Sequence, residues 1–328
     1  MRYCLALLCC LVAPLAYAQD LRAIFEDHIT PRYVALADRT ATLAAQAQED
    51  CTPDDPPLIT AYHDAFDAWI GVSHLRFGPS EIEDRAFALS FWPDPRGATP
   101  KALGTLIRDE DPVVFDADAF ATVSIAARGF YALEFLLFDP QFAGGDYPCA
   151  LIRAVTGDIA RNAAAILDGW QGGYGALISQ PGNDTYRTKP EAARQIFTAL
   201  TTGLEFTSDV RLGRPMGTVD RPRPKRAEAR RSVRSLRHVV LSLEATRELG
   251  QLISSGDADL DEAFASALDR ASALDDPVFA GVSDPQGRLR VEALQQSINT
   301  IRTILDTQIG PRSEDTPSEL QSPVPISY

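Results

Sequence analysis

The sequence predicts an all-α protein made of packed helical bundles. Two observations carry this reading. Apolar residues recur at helical spacing along most of the 328 residues, and no segment sustains the alternation of apolar and polar residues that a strand needs. Proline punctuates that pattern, falling repeatedly one position after a residue suited to cap a helix. Long helices joined by short links pack as bundles.

Residues 1–18 read as a secretory signal. Arg2 gives a short basic start, Leu5 to Leu15 is apolar, and Ala16-Tyr17-Ala18 has the small-x-small spacing of a cleavage site. The apolar run is too short to span a bilayer, and no later segment is apolar enough, so no membrane insertion of the mature chain is expected. Thr30-Pro31 predicts the start of a helix to about Gln48, and Asp55-Pro56 one to about His74. Thr99-Pro100 opens a shorter helix. Asp116 or Asp118 caps a long apolar helix to about Phe138, and Tyr147-Pro148 opens one to Trp170. QGGYGALISQPGNDTYRTK, with four glycines, predicts a loop. Pro190 starts a helix to Leu212, and GRPMGTVDRPRPK is a second irregular link. Helices follow over Ala227 to Leu249, Asp257 to Leu274, and Arg288 to Ile309. The loop divides the mature chain into an N-terminal helical bundle, 19–170, and a C-terminal one, 171–309. The Pro- and Ser-rich tail, 310–328, predicts disorder.

The chain holds 31 basic and 45 acidic residues. Loss of the signal removes one arginine and no acid, taking the net charge from −14 to −15. That balance argues against nucleic acid and anionic lipid as partners. Of five cysteines, only Cys51 and Cys149 outlast the signal, and two thiols in an oxidising compartment predict a disulfide. The closed loop of about 98 residues corresponds to roughly 4–5 kcal/mol in the chain-entropy treatment.

Three segments carry chemistry. Residues 68–97 hold HLRFGP and then FWPDPRG, crowding His74, Arg76, Arg85 and Trp92 round an irregular turn of the kind that lines a pocket mouth. Residues 124–139, SIAARGFYALEFLLFD, set Glu134 in an apolar helix, where a carboxylate must be paired, protonated or metal-bound. Tyr131 shares its face, and Gly129 in mid-helix implies close packing or ligand approach. Residues 223–249 carry six arginines between Arg223 and Arg237. There Glu228, Arg231, Ser232 and Ser235 fall on one helical face, and the arginines either neutralise buried acids, hold an anion or form a solvated basic face. His63 and Asp67 have the i, i+4 spacing of a chelate, with His74 about 16 Å further along. HExxH, a Gly-rich phosphate loop, GxSxG, CxxC and CxxCH are all absent from the sequence.

HLRFGP followed by FWPD, the GFYALEFLLF helix and RAEARRSVRSLRHV, in this order, resemble the imelysin family over essentially the whole mature chain. The resemblance implies two helical bundles packed together with a site between the halves, export, and an association with iron acquisition. Some members carry a peptidase label, with a Gly-x-His-x-x-Glu motif whose His and Glu are taken as metal ligands. Gly129 and Glu134 match that motif, but Tyr131 stands at the histidine position. Tyrosine is a poor zinc ligand at neutral pH, while a phenolate suits ferric iron.

The leading expectation is therefore a non-catalytic periplasmic binding protein linked to uptake of iron or another metal. Glu134, the candidate metal ligand, and Tyr131 would meet Arg231, Ser232 and Ser235, with His74, Arg76 and Trp92 at the rim. The expected ligand is a metal ion, iron foremost, or a small anion. Two alternatives stand beside it, an imelysin-type metallopeptidase and a helical interaction module for an exported redox or transport partner.

Overall fold

The computed structural model of the chain describes residues 20–310, and the regular elements among them are helical. A single isolated bridge, Thr218 to Arg221, is their only β pairing. The predicted signal and the predicted tail beyond Gly310 lie outside the described residues.

The first helix begins nearer the N-terminus than Thr30-Pro31 suggests. Asp20 caps it by accepting from the Arg22 and Ala23 amides, and it opens at Leu21–Ala23. A π-helical stretch, Ile24–Ile29, then leads into α1, Thr30–Glu49. Pro31 has no amide hydrogen to give, and the wider turn before it, closed by the Thr30 amide on the Phe25 carbonyl, absorbs that loss. Along α1, Tyr33, Leu36, Thr40, Leu43 and Ala47 are buried at spacings of three and four, the stripe that packs inward. Helices α2, Pro56–Val72, and α3, Ala98–Asp109, follow as predicted, with Asp55 capping the Leu58 amide.

The long helix expected from Asp116 to Phe138 is not continuous. Asp116 caps only a single turn, Ala117–Phe120, and the chain restarts as α4, Gly129–Phe138. Gly129 is thus a helix start with φ +74°, and a Cβ there would collide with the Ala88 and Leu89 carbonyl oxygens. Only glycine accepts both constraints. Helix α5, Asp146–Gly169, continues past Trp170 through a π turn, Trp170–Tyr174, and a helical turn, Gly175–Ser179. Much of the predicted glycine loop is therefore helical, and the irregular link spans 180–188.

Helix α6, Lys189–Glu205, runs on through a π stretch, Phe206–Leu212. The helix expected from Ala227 begins only at Ser235, as α7, Ser235–Ser254. Residues 227–234 form an irregular strap in which Ala229 and Val233 take φ of +44° and +59°. The supposed helical face of Glu228, Arg231, Ser232 and Ser235 does not exist, and Val233 is exposed. Helices α8, Ala258–Ser272, and α9, Pro285–Ile304, complete the set.

Helix α1 packs on both α2 and α5, and α4 lies against α5. Helix α7 packs on α2, α6 and α8, so it joins helices from both sides of the 180–188 link. Cys51 and Cys149 form the predicted disulfide, their Cα atoms 5.2 Å apart.

Candidate functional site

Helix α4 is apolar almost all round, and nearly every residue from Gly129 to Leu137 is buried. It projects Tyr131 and Glu134 toward the strap. Glu134 is 3% exposed, and its Oε1 accepts from both the Ser232 amide and the Ser232 hydroxyl, each at 2.9 Å. Burial pushes the Glu134 pKa up, an effect the Ser232 donors and the Arg231 charge only partly offset. Tyr131 donates a short hydrogen bond to Glu228 Oε1. Burial, with the Glu228 charge, drives the Tyr131 phenol well above its ordinary value. Its hydroxyl is engaged as a donor to Glu228, a bond that a phenolate ligand for ferric iron would have to give up.

Glu228, itself 2% exposed, is the better compensated acid. The Arg211 Nε donates to its Oε2 at 2.7 Å, and Arg211 also reaches the Ser242 hydroxyl at 2.8 Å and stacks over Phe206. His238 Nδ1 lies 3.2 Å from the same oxygen, but off the line that a hydrogen bond requires. Burial acts to raise the Glu228 pKa; Arg211, His238 and the Tyr131 hydroxyl overcome it and bring it down to about 2.

Tyr131 and Glu134 line a cleft of about 260 Å³. Phe91, Trp92, Phe135 and Asp94 line it from the earlier segments, and Arg214, Lys225, Arg226, Arg230 and Arg231 from the later ones. Trp92 stacks on Tyr131 with ring centres 6.1 Å apart, and Arg214 lies over Trp92. The strap is tied down along its length. Arg231 bonds Asp139 at 2.9 Å and covers Phe135, Arg234 pairs with Asp67, and the Ser235 hydroxyl donates to the Glu228 carbonyl.

The structure thus brings together Glu134, Tyr131, Trp92, Arg231, Ser232 and Ser235, with two differences from expectation. Serine, not arginine, answers Glu134, because Arg231 is taken by Asp139. His74 and Arg76 are not at the rim. Arg76 pairs with Glu81 at 2.8 Å beside Phe87, and Arg85 pairs with Glu83. His74 is buried 3.0 Å from His28, Nε2 to Nε2, and His28 Nδ1 reaches Glu248 Oε1 at 2.8 Å. That network assigns the His74 ring as donor to His28 and the His28 ring as donor to Glu248. The His63 and Asp67 chelate also does not form, since Asp67 serves Arg234 and Arg237 while His63 stacks on Phe138. Sequence reasoning missed Arg211, Arg214 and the role of Glu228. Arg211 and Arg214 sit in an apparently ordinary helix end, RLGRPMG, which carries no local signal of what they touch.

The family model for imelysin (peptidase M75) matches residues 29–305. The chain belongs to the imelysin family. A relative named Iron-regulated protein A, from Synechococcus elongatus, is 23% identical over 326 residues, covering 89% of this chain and 86% of the relative. An imelysin-like protein from Psychrobacter arcticum superposes with a TM-score of 0.76 at 16% identity, covering 91% of this chain and 96% of that one. A candidate iron-regulated protein A precursor from Parabacteroides distasonis gives 0.71 at 12% identity, with 89% and 95% covered. At these identities the structural likeness is one of fold.

The peptidase label of the imelysin family calls for a metal held by at least three protein ligands beside a water. The residues here do not fit it. Tyr131 is bonded to Glu228 where a histidine would be needed, and among the described residues no group of three or more His, Cys, Asp or Glu can hold a metal ion. Glu134 therefore lacks the co-ligands that its predicted role as a metal ligand requires.

Proposed function

We propose that this imelysin-family protein is an exported, periplasmic, non-catalytic binding protein that serves the uptake of iron or another metal, with the Trp92–Tyr131–Glu134 cleft as its ligand site. The observation that carries the reading is Glu134. A buried carboxyl group with one oxygen held by Ser232, lining a cleft between residues 91–135 and 214–231, is costly to keep unless it meets something there. The cleft draws its walls from both of the helical halves expected from the sequence, 19–170 and 171–309, as a site between two bundles would. The basic start and small-x-small site of residues 1–18, and a relative and a structural neighbour whose names refer to iron regulation, support export and the link to iron.

The test is elemental and mass analysis of the protein purified from its own cell envelope, beside Glu134→Ala prepared in the same way. Bound iron or an organic ligand in the parent, lost from a variant of unchanged melting temperature, is the expected result. Equal retention by both proteins would sink the assignment of the cleft. Chelator-sensitive peptide cleavage that Glu134→Gln abolishes would sink the non-catalytic reading.

A further inference from the structure

This chain has far more acids than bases, and more than half of the arginines among the described residues lie within 4.0 Å of a carboxylate. The cleft gathers several of the others. Arg214, Lys225, Arg226 and Arg230 line it, and none of the four has a carboxylate partner among the described residues. Arg214 is partly buried, its Nε is enclosed without an acceptor, and its guanidinium plane lies over Trp92. Arg226 is near enough to act against the Arg214 charge, and Arg231 against that of Arg230. Asp94 also lines the cleft, where it caps the Ala98 and Thr99 amides, and Glu134 and Asp139 offset part of the Arg230 charge, but none of these acids pairs with the four basic groups, and an anion would complete them.

The aromatic lining narrows the class of anion. Phe91, Trp92 and Phe135 line the same cleft, Trp92 and Phe135 beside the guanidinium groups of Arg214 and Arg231, and apolar surface next to basic groups suits an organic anion better than an inorganic ion. Arginine forks match carboxylate oxygens in pairs. At the floor, Glu134 Oε2 receives no hydrogen bond from the described residues and is left for a polar group of the ligand. A volume of about 260 Å³ suits a small molecule rather than a peptide.

We infer that the cleft binds a small organic polycarboxylate, and that a metal carried by this protein arrives inside an anionic carboxylate chelate, gripped through its ligand shell. The inference rests on the cleft being the cargo site, as proposed above. It accounts for an iron-linked protein whose described residues gather no metal-ligand cluster, because hard cations find their oxygen ligands on the chelator instead.

Titration calorimetry of the full mature protein tests it, with tricarballylate, ferric nitrilotriacetate, inorganic phosphate and bare zinc or manganese as probes. Tricarballylate and the ferric chelate should bind, and added chloride should weaken both. Phosphate should bind at least about tenfold more weakly. Arg226→Glu and Arg230→Glu, both partly exposed, should each weaken polycarboxylate binding by about tenfold or more at unchanged melting temperature. Stoichiometric binding of a bare divalent ion, lost in Glu134→Ala and indifferent to Arg226→Glu, would overturn the inference while leaving the cleft as the cargo site. Phosphate binding as tightly as tricarballylate would overturn the carboxylate class. Iron retained by envelope-purified protein, with no probe binding at all, would overturn the inference and spare the wider reading.

Discussion

Arg211 and Glu228 illustrate what one buried charge asks of its neighbours. Each is nearly inaccessible, and each satisfies the other at 2.7 Å. Arg211→Met should leave Glu228 sequestered with only Tyr131 and His238 beside it, and cost about 3–5 kcal/mol, read from urea unfolding. The pair also sets an acid limit. The folded pKa of Glu228, about 2, lies below its unfolded value, so its stabilising contribution is present above pH 4.5 and lost as pH falls toward 2. Arg211→Met should remove most of that acid dependence; an unchanged profile would show that Arg211 is not what holds the carboxylate ionised. Glu134 was legible in the sequence because an acid inside GFYALEFLLF has no innocent reading. Glu228 was not, because RAEARRS looks like one more charged helix face. Nothing local announces that Ala229 and Val233 adopt left-handed backbone, a conformation neither side chain favours.

At the level of elements, a capping residue with proline in the first turn marked helix starts well at Asp55-Pro56 and at Thr188 and Pro190. Asp55 caps the helix it was expected to cap, and Asp257 caps α8, which was expected to begin there. Thr30-Pro31 has the same appearance, yet a π turn carries the helix straight through it. Gly129 misled in the other direction. Apolar periodicity continues across it, but the backbone needs a positive φ there to bring the start of α4 under the Ala88 and Leu89 carbonyls. Gly129→Ala combines a disfavoured φ with a steric collision, and should destabilise by at least about 2 kcal/mol in thermal or urea unfolding. Because α4 carries both Tyr131 and Glu134, the variant should also lose ligand retention. A fully stable Gly129→Ala protein would mean that α4 can start elsewhere.

Across the whole molecule, periodicity was enough to read a helical bundle, and the oxidising compartment expected from residues 1–18 was enough to read the Cys51–Cys149 cross-link. The way α7 joins the earlier and later helices was not legible, since contacts between residues 28, 74 and 248 leave no local trace. That junction should make stability depend on pH. Burial lowers the pKa of His28 and, further, of His74, with Arg32 acting in the same direction on both and Arg211 on His74; Glu248 opposes this at His28. The unfolded chain therefore takes up protons that the folded one refuses. Stability is full above the ordinary histidine pKa of 6.5 and declines as pH falls below it. His63, also lowered, adds to the same trend. The urea midpoint should drop between pH 8 and 5.5, and His74→Gln, which keeps a donor for His28, should flatten the drop. A midpoint constant over this range would argue that the paired rings take up protons as readily in the native protein as in the unfolded chain.

The strap over residues 227–234 bears on kinetics. It is moored to Asp67 through Arg234, to Glu134 through Ser232 and to Asp139 through Arg231, on or beside two different helices, and swinging it outward would break all three ties at once. Traffic through the mouth then falls to the long arms of Lys225, Arg226 and Arg230, whose rotamers interconvert in picoseconds to nanoseconds. Such a doorway favours rapid loading and unloading over slow capture, with the Ser232 amide shielded from deuterium throughout.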